Sequence, residues 1–328
     1  MNFSLSIIKN IFNPPLLCFA LGIFAALTRT ELKLPAWINK FLIIYILFCV
    51  GLKGGGPLIE HSLSAPSLFF TTLTILIIWG LLSPLLSFYL LQSFTTVDHP
   101  TAAAIATSFG SVSVMTFITG ISFLDQLKVN YQQSMIAVLA IMEIPAIISG
   151  IFLAKRLNEI HTSSSSSISK LLHNSLVNKT IGTMIAGIIT GAILYSNNAS
   201  YISDHILIYF KPLLCLFLFD MGLKVGLQRN HFYVFSWPLS FFGLYMPLIG
   251  GCFGLFLSYM LNLDIGTGTL IAVLTSSASY IAVPAAMRIA LPQAKEAIYL
   301  PLSLGITFPF NVIVGIPLYY YLAIQFLK

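Results

Sequence analysis

Ten apolar runs, each near the roughly 20 residues that a helix needs to cross a hydrocarbon core, leave this chain few possible folds. They cover about 12–29, 35–52, 66–92, 99–123, 133–155, 179–197, 205–223, 232–261, 266–289 and 297–327. Lipid offers the backbone no hydrogen-bond partner, so spans must be helices or a closed barrel. Stretches this continuously apolar lack the alternation of barrel strands. The expected fold is an all-α integral membrane protein with ten transmembrane helices. Composition agrees, with 57% hydrophobic and only 8% charged residues among 328. A soluble domain carries roughly 25% charged residues, so that class is excluded. The net charge of +6 is spread over many loops and forms no basic patch, which argues against nucleic acid. Cys18, Cys49, Cys215 and Cys252 fall inside apolar runs without CxxC spacing and read as small buried hydrophobes, not as a disulfide or zinc framework. The first thirteen residues hold one charge, Lys9, and no small-residue cleavage site, so this segment is expected to stay on the chain.

Lys and Arg set the orientation. The N-terminal side holds Lys9, Lys53, Lys128 and Lys328. The opposite side holds Arg29, Lys33, Lys40, Lys155, Arg156, Lys170, Lys179, Lys224, Arg229, Arg288 and Lys295. By the positive-inside rule both termini lie outside and the 158–178 connection is cytoplasmic. That connection contains the run Ser163 to Ser167 and is the one long, polar joint. It divides the chain into 1–157 and 179–328, five spans each, around a Ser-rich linker.

The two halves echo one another. Gly51-Leu52-Lys53 recurs as Gly222-Leu223-Lys224, Thr107-Ser108 with Ser111 as Thr275-Ser276 with Ser279, and Gln126-x-Lys128 as Gln293-x-Lys295. Three matches in one order at nearly constant offset indicate an internal repeat. An odd number of spans per half turns the second copy upside down, giving two inverted five-helix repeats. That architecture is typical of secondary transporters, whose sites lie near the midplane where the halves meet.

Among the acidic residues only Glu143 falls at mid-span, in Ile141-Met142-Glu143-Ile144-Pro145. A carboxylate there is either a cation or proton ligand or a protonated group hydrogen-bonded between helices. Pro145 lacks an N–H and so frees the Ile141 carbonyl, which can join Glu143 around a small cation. Asn311 stands at the matching position of the second half, placed by symmetry opposite Glu143, as a further ligand or as interhelical glue. Spans four and nine carry Thr107-Ser108-Phe109-Gly110-Ser111-Val112-Ser113 and Thr275-Ser276-Ser277-Ala278-Ser279. Small hydroxyl residues inside hydrocarbon mean tight packing or a broken helix lining a cavity. If the helices break, half-helix N-termini and Ser hydroxyls offer donors to a small anion. Lys53 and Lys224 are expected to snorkel to their interfaces, with Asp220 pairing with Lys224 at i,i+4. Lys211, beside Pro212, is expected to snorkel or meet a carbonyl. Gly54-Gly55-Gly56-Pro57 lacks the context of a phosphate loop, and no pair of converging catalytic groups points to an enzyme.

Asn13-Pro14 through Gly56, Phe109-Gly110-Ser111-Val112-Ser113 followed by Glu143-Ile144-Pro145-Ala146, and Ser276-Ser277-Ala278-Ser279 with Pro284 and Arg288 resemble the sodium-dependent bicarbonate transporter family. The resemblance runs over both halves. It implies two inverted five-helix repeats, a homotrimer in a bacterial inner membrane, sodium-coupled bicarbonate uptake, and a PII-like regulatory protein docking on the cytoplasmic face. Ser111 and Ser113 match the family's first Ser-rich motif, Ser277 and Ser279 its second, and Glu143 an acidic residue that is usually Asp. Tyr280 stands where the family often has Asp, and Val114-Met115 where small residues are expected.

The expected function is a sodium-coupled secondary transporter importing bicarbonate or a similar small anion by alternating access, with no cofactor beyond the coupling ion. The substrate residues are Ser111, Ser113, Ser277 and Ser279, and the sodium residues Glu143, Thr107, Ser108, Ser276 and Asn311. Two alternatives remain. One is a proton-coupled organic-anion transporter. The other is a transport-dead receptor whose Ser-rich loop recruits a cytoplasmic partner.

Overall fold

A computed structural model gives the fold of residues 14–28, 32, 34–64, 66–156, 179–227 and 236–327. The Ser-rich linker 158–178 and the first thirteen residues, with the expectations attached to them, lie outside these described residues. Every regular element described is a helix: α1 Pro14–Leu27, α2 Ala36–Ser64, α3 Pro66–Phe94, α4 His99–Gly110, α5 Val114–Leu127, α6 Met135–Arg156, α7 Lys179–Ser196, α8 Ser200–Leu207, α9 Phe210–Leu227, α10 Trp237–Met260, α11 Ile265–Ser276, α12 Ala282–Ala290 and α13 Glu296–Phe326. Seven stretches are long and apolar enough to cross a membrane. Three shorter apolar helices, Pro14–Leu27, Gly182–Ser196 and Ile265–Ser276, accompany them.

The burial pattern inverts that of a soluble protein. Phe24, Phe70, Tyr89, Phe241 and Phe256 face outward, each more than half exposed, while Ser83, Ser87, Thr107, Ser108 and Thr119 are fully buried. Apolar side chains lose nothing by facing lipid tails, whereas small hydroxyls allow close helix contact and can bond a carbonyl one turn back. Thr107, Thr119 and Thr275 do so, donating to Ala103, Met115 and Ile271 at 2.7, 2.8 and 2.9 Å.

The most extensive packing joins α1 to α9 and α2 to α7, so each half lends its first helix to the second helix of the other. Glycine makes both contacts possible. Gly22 and Gly222 face each other, and a Cβ on either would collide with the Phe219 or Phe19 carbonyl oxygen. Gly51 and Gly187 meet in the same way against Met184 and Phe48. One turn on, Gly55 and Gly191 repeat the approach. Backbones this close associate through dispersion and weak polar contacts, since no hydrophobic force joins helices in lipid. These four helices form one body. In the other, α3 packs on α4 and α10 on α11. The α3 and α10 helices therefore belong with α4–α6 and α11–α13.

Four tethers tie the ends of these helices together. Asp98 caps α4, accepting from the Thr101 N–H at 3.2 Å, and also receives Lys295 Nζ at 2.9 Å. Burial opposes ionisation of Asp98, but bonds from Thr101 and Lys295 outweigh it and hold the carboxyl below its usual range. Asp264 caps α11 through Thr267 at 2.8 Å, and the Thr267 hydroxyl accepts from the Gln132 N–H at 2.8 Å. Lys53 Nζ lies 3.4 Å from Asp125 Oδ2 and 3.2 Å from the Tyr131 hydroxyl. It therefore holds a partner across the two bodies. Asp220 accepts from Lys224 Nζ at 2.7 Å, the expected i,i+4 pair, and from Asn39 Nδ2 at 2.6 Å. Lys211 has no hydrogen-bond or ion-pair partner among the described residues and borders a cavity of about 360 Å³ with Pro14, Ser122 and Gln126. The four cysteines are free. Cys49 is buried, but Cys252 faces outward, as a small apolar side chain can where the surroundings are lipid.

Candidate functional site

Both Ser-rich stretches are breaks in helices. The α4 helix ends at Gly110. Ser111 (φ −94°, ψ 178°) and Ser113 (φ −106°, ψ 110°) are extended, and α5 begins at Val114. In the second half α11 ends at Ser276, Ser277 is extended (φ −85°, ψ 161°), and α12 begins at Ala282. Gly110, the last residue of α4, lets α3 pack close beside the first break, because a Cβ there would collide with the ring of Pro84. From Thr101 to Leu124 every residue except Ser122 is buried, so this break lies in the middle of the protein.

The breaks cross and bond each other. Ser279 N–H donates to the Ser108 carbonyl and Ser113 N–H to Ser277 Oγ, both at 2.8 Å. Ser113 Oγ caps α5, accepting from Thr116 N–H at 3.2 Å, and Ser279 Oγ accepts from Val283 N–H of α12 at 3.3 Å. Two half-helix N-termini thus meet two half-helix C-termini at one point. That arrangement offers N–H groups and positive dipole ends to an anion and carbonyls to a cation.

A small cavity of about 10 Å³ opens at this crossing, lined by Ser113, Ser279, Glu143, Tyr280, Met115 and Leu47, among others. Glu143 is 1% exposed, and its Oε2 has no partner among the described residues. Ser111 Oγ is likewise buried and unpartnered. A buried polar atom without a partner costs about 1–3 kcal/mol, so these atoms mark where a ligand or water would be stabilised.

The remaining candidates fall around this centre. Ser277 Oγ is engaged, accepting from Ser113 N–H and donating to the Leu274 carbonyl at 2.9 Å. Thr107, Ser108 and Ser276 turn their hydroxyl protons back onto Ala103, Ala104 and Val273. Asn311 does not line the cavity that Glu143 faces. Its Nδ2 donates to the Ser276 carbonyl at 2.8 Å, and its Oδ1 is 3.5 Å from the Tyr319 hydroxyl. The lining residues sequence reasoning missed are Ile281, beside Tyr280, and Leu47, the one contribution from α2. No signal distinguishes Leu47 within a uniformly apolar run.

A sequence-family model described as the Na+-dependent bicarbonate transporter superfamily matches residues 14–324. No curated protein matches the chain.

Proposed function

The chain belongs to the Na+-dependent bicarbonate transporter superfamily, and from that premise we propose that it imports bicarbonate by sodium-coupled alternating access. The observation that carries this reading is the hydrogen-bonded crossing of two broken helices beside a buried carboxylate with a free oxygen. Sodium is assigned to the Glu143 cavity, with Ser113 and Ser279 beside it, and Thr107, Ser108 and Ser276 at the adjoining helix ends. Asn311 acts one step away, steadying the Ser276 carbonyl. Bicarbonate is assigned to the N-termini of α5 and α12, with Ser111 Oγ as a donor and Ser277 holding the crossing together. Bound sodium offsets the Glu143 charge and favours the anion, and by reciprocity the anion favours sodium.

Ten spans in two inverted repeats are part of the proposal. Three of the tethers support it, because each joins residues that the alternating topology puts on one face. Asp98 meets Lys295 and Asn39 meets Asp220 on the Lys-rich side, and Lys53 meets Asp125 on the other. The reciprocal glycine contacts of α1 with α9 and α2 with α7 are those expected of a twofold relation. The motion assigned is α3–α6 with α10–α13 sliding against α1, α2, α7 and α9, with Leu47 passing the site. A bacterial inner membrane, termini outside, a homotrimer and a PII-like regulator complete the proposal on the resemblance alone.

Uptake of radiolabelled bicarbonate into proteoliposomes, with and without an inward sodium gradient at fixed pH, tests the reading. Uptake only with sodium supports it. Uptake driven by a pH gradient instead moves the coupling ion to a proton on Glu143, a reading favoured by the unpartnered Oε2. Anion binding without flux identifies a receptor.

A further inference from the structure

The cavity beside Glu143 holds a second unsatisfied oxygen. The Tyr280 hydroxyl is buried beside the Ser113 side chain, makes no hydrogen bond of good geometry among the described residues, and Tyr280 lines the same space as Glu143. The two groups come from different halves of the chain, one from α6 and one from the break before α12. Neither repeat alone builds this pairing. The phenol ring is held edge-on against Phe308 of α13, with ring centroids 5.5 Å apart, and Phe308 in turn packs edge-on against Phe19 of α1 at 5.3 Å. Held by these contacts, the phenol keeps its oxygen at the cavity.

Size and charge define the occupant. Space of about 10 Å³ is near the minimum of roughly 10–15 Å³ for one water. A dehydrated sodium ion fits such a space, and a bicarbonate ion is far larger. Apart from Glu143, Tyr280, Ser113 and Ser279, the lining is Leu47, Val112, Val114, Met115 and Ile281. Glu143 is thus the one carboxylate present, and a single monovalent cation neutralises it. Hard cations take oxygen ligands, and four oxygen-bearing side chains border this space. The serine oxygens each accept one backbone N–H and keep a lone pair.

We propose that the Tyr280 hydroxyl is a ligand of the coupling sodium, completing with Glu143, Ser113 and Ser279 a site for one cation. This rests on the sodium-coupled reading above. As a neutral ligand, Tyr280 supplies a dipole and leaves the site with the single charge of Glu143, so one sodium ion binds per turnover at this site.

Tyr280→Phe is the direct test, because it removes one oxygen and keeps the ring on Phe308. Purified protein is melted across a sodium chloride series, with choline chloride holding ionic strength constant, and sodium-22 binding is measured on the same samples. Sodium is expected to raise the wild-type melting temperature by mass action. Tyr280→Phe is expected to need roughly tenfold more sodium for the same shift, the change that loss of one good ligand gives. Without sodium the variant is expected to melt at or above wild type, since a stranded oxygen has gone. A purely structural Tyr280 would instead give a lower sodium-free melting temperature. An unchanged sodium requirement in Tyr280→Phe, with Glu143→Gln losing its response, would overturn the Tyr280 assignment and leave the sodium reading standing. Wild-type protein that neither binds nor is stabilised by sodium overturns both.

Discussion

Glu143 is the residue on which the proposed function turns. It is 1% exposed in a cavity otherwise lined by neutral side chains, so its charge is tolerable only with a cation or a proton in place. Glu143→Gln is expected to fold and to lose sodium dependence, with uptake at saturating bicarbonate falling at least about tenfold, the factor that removal of one charged ligand readily reaches. Uptake that keeps wild-type sodium dependence would refute the ligand role. A second residue acts through a proline. Pro247 cannot supply the N–H that would bond the Gly243 carbonyl, and the Thr307 hydroxyl supplies a bond at 2.8 Å instead. Thr307→Val keeps the shape and strands that carbonyl, which should cost about 1–3 kcal/mol, read as a lower melting temperature in detergent. Glu143 is legible in sequence because a lone acid in a hydrocarbon run stands out. Thr307 is not, because its partner lies 64 residues away on another helix.

At the scale of elements, the broken helices and α13 carry the design. The α13 helix widens to i→i+5 bonding at Leu302–Thr307 and Asn311–Gly315. Each wide stretch leads to a proline, Pro309 or Pro317, whose ring displaces the turn before it. Asn311 opens the second one and bonds the Ser276 carbonyl at the end of α11. In the broken helices the caps keep the α5 and α12 N-termini aimed at the crossing. Ser279→Ala removes the oxygen that receives Val283 N–H. It is expected to lower stability by about 0.5–2 kcal/mol and to raise the half-saturating concentrations of both sodium and bicarbonate. A loss of stability with both constants unchanged would make Ser279 a cap and nothing more.

Over the whole molecule the two helical groups touch less than the helices within each group do. Of the ion pairs described, Lys53–Asp125 alone joins the group of α1, α2, α7 and α9 to the other. Both side chains are about one-third exposed, and such a pair contributes about 0.2–1 kcal/mol. If it holds this conformation, Lys53→Met should raise the initial uptake rate by roughly 1.5- to 5-fold, the range that energy allows, with less effect at high ionic strength. A rate that falls, or that changes equally at every ionic strength, would exclude a restraining role.

The sequence by itself determined the solvent, the helical class and the residues that bear charge or hydroxyls inside the membrane. Each is written locally, in the length of an apolar run, in the absence of alternation, or in a polar side chain where lipid would exclude one. It also carried the matching Gly-Leu-Lys segments at 51–53 and 222–224, and the structure puts Gly51 and Gly222 where helix backbones pack too closely for a Cβ. Only the tertiary structure decided which of the hydroxyls face Glu143, that Asn311 serves the Ser276 carbonyl, that Lys53 is paired, and that Leu47 and Tyr280 border the site. Those facts depend on how two distant segments cross. The bonds Ser279 to Ser108 and Ser113 to Ser277 join positions more than 160 residues apart, and periodicity within one helix holds no record of its neighbour's rotation.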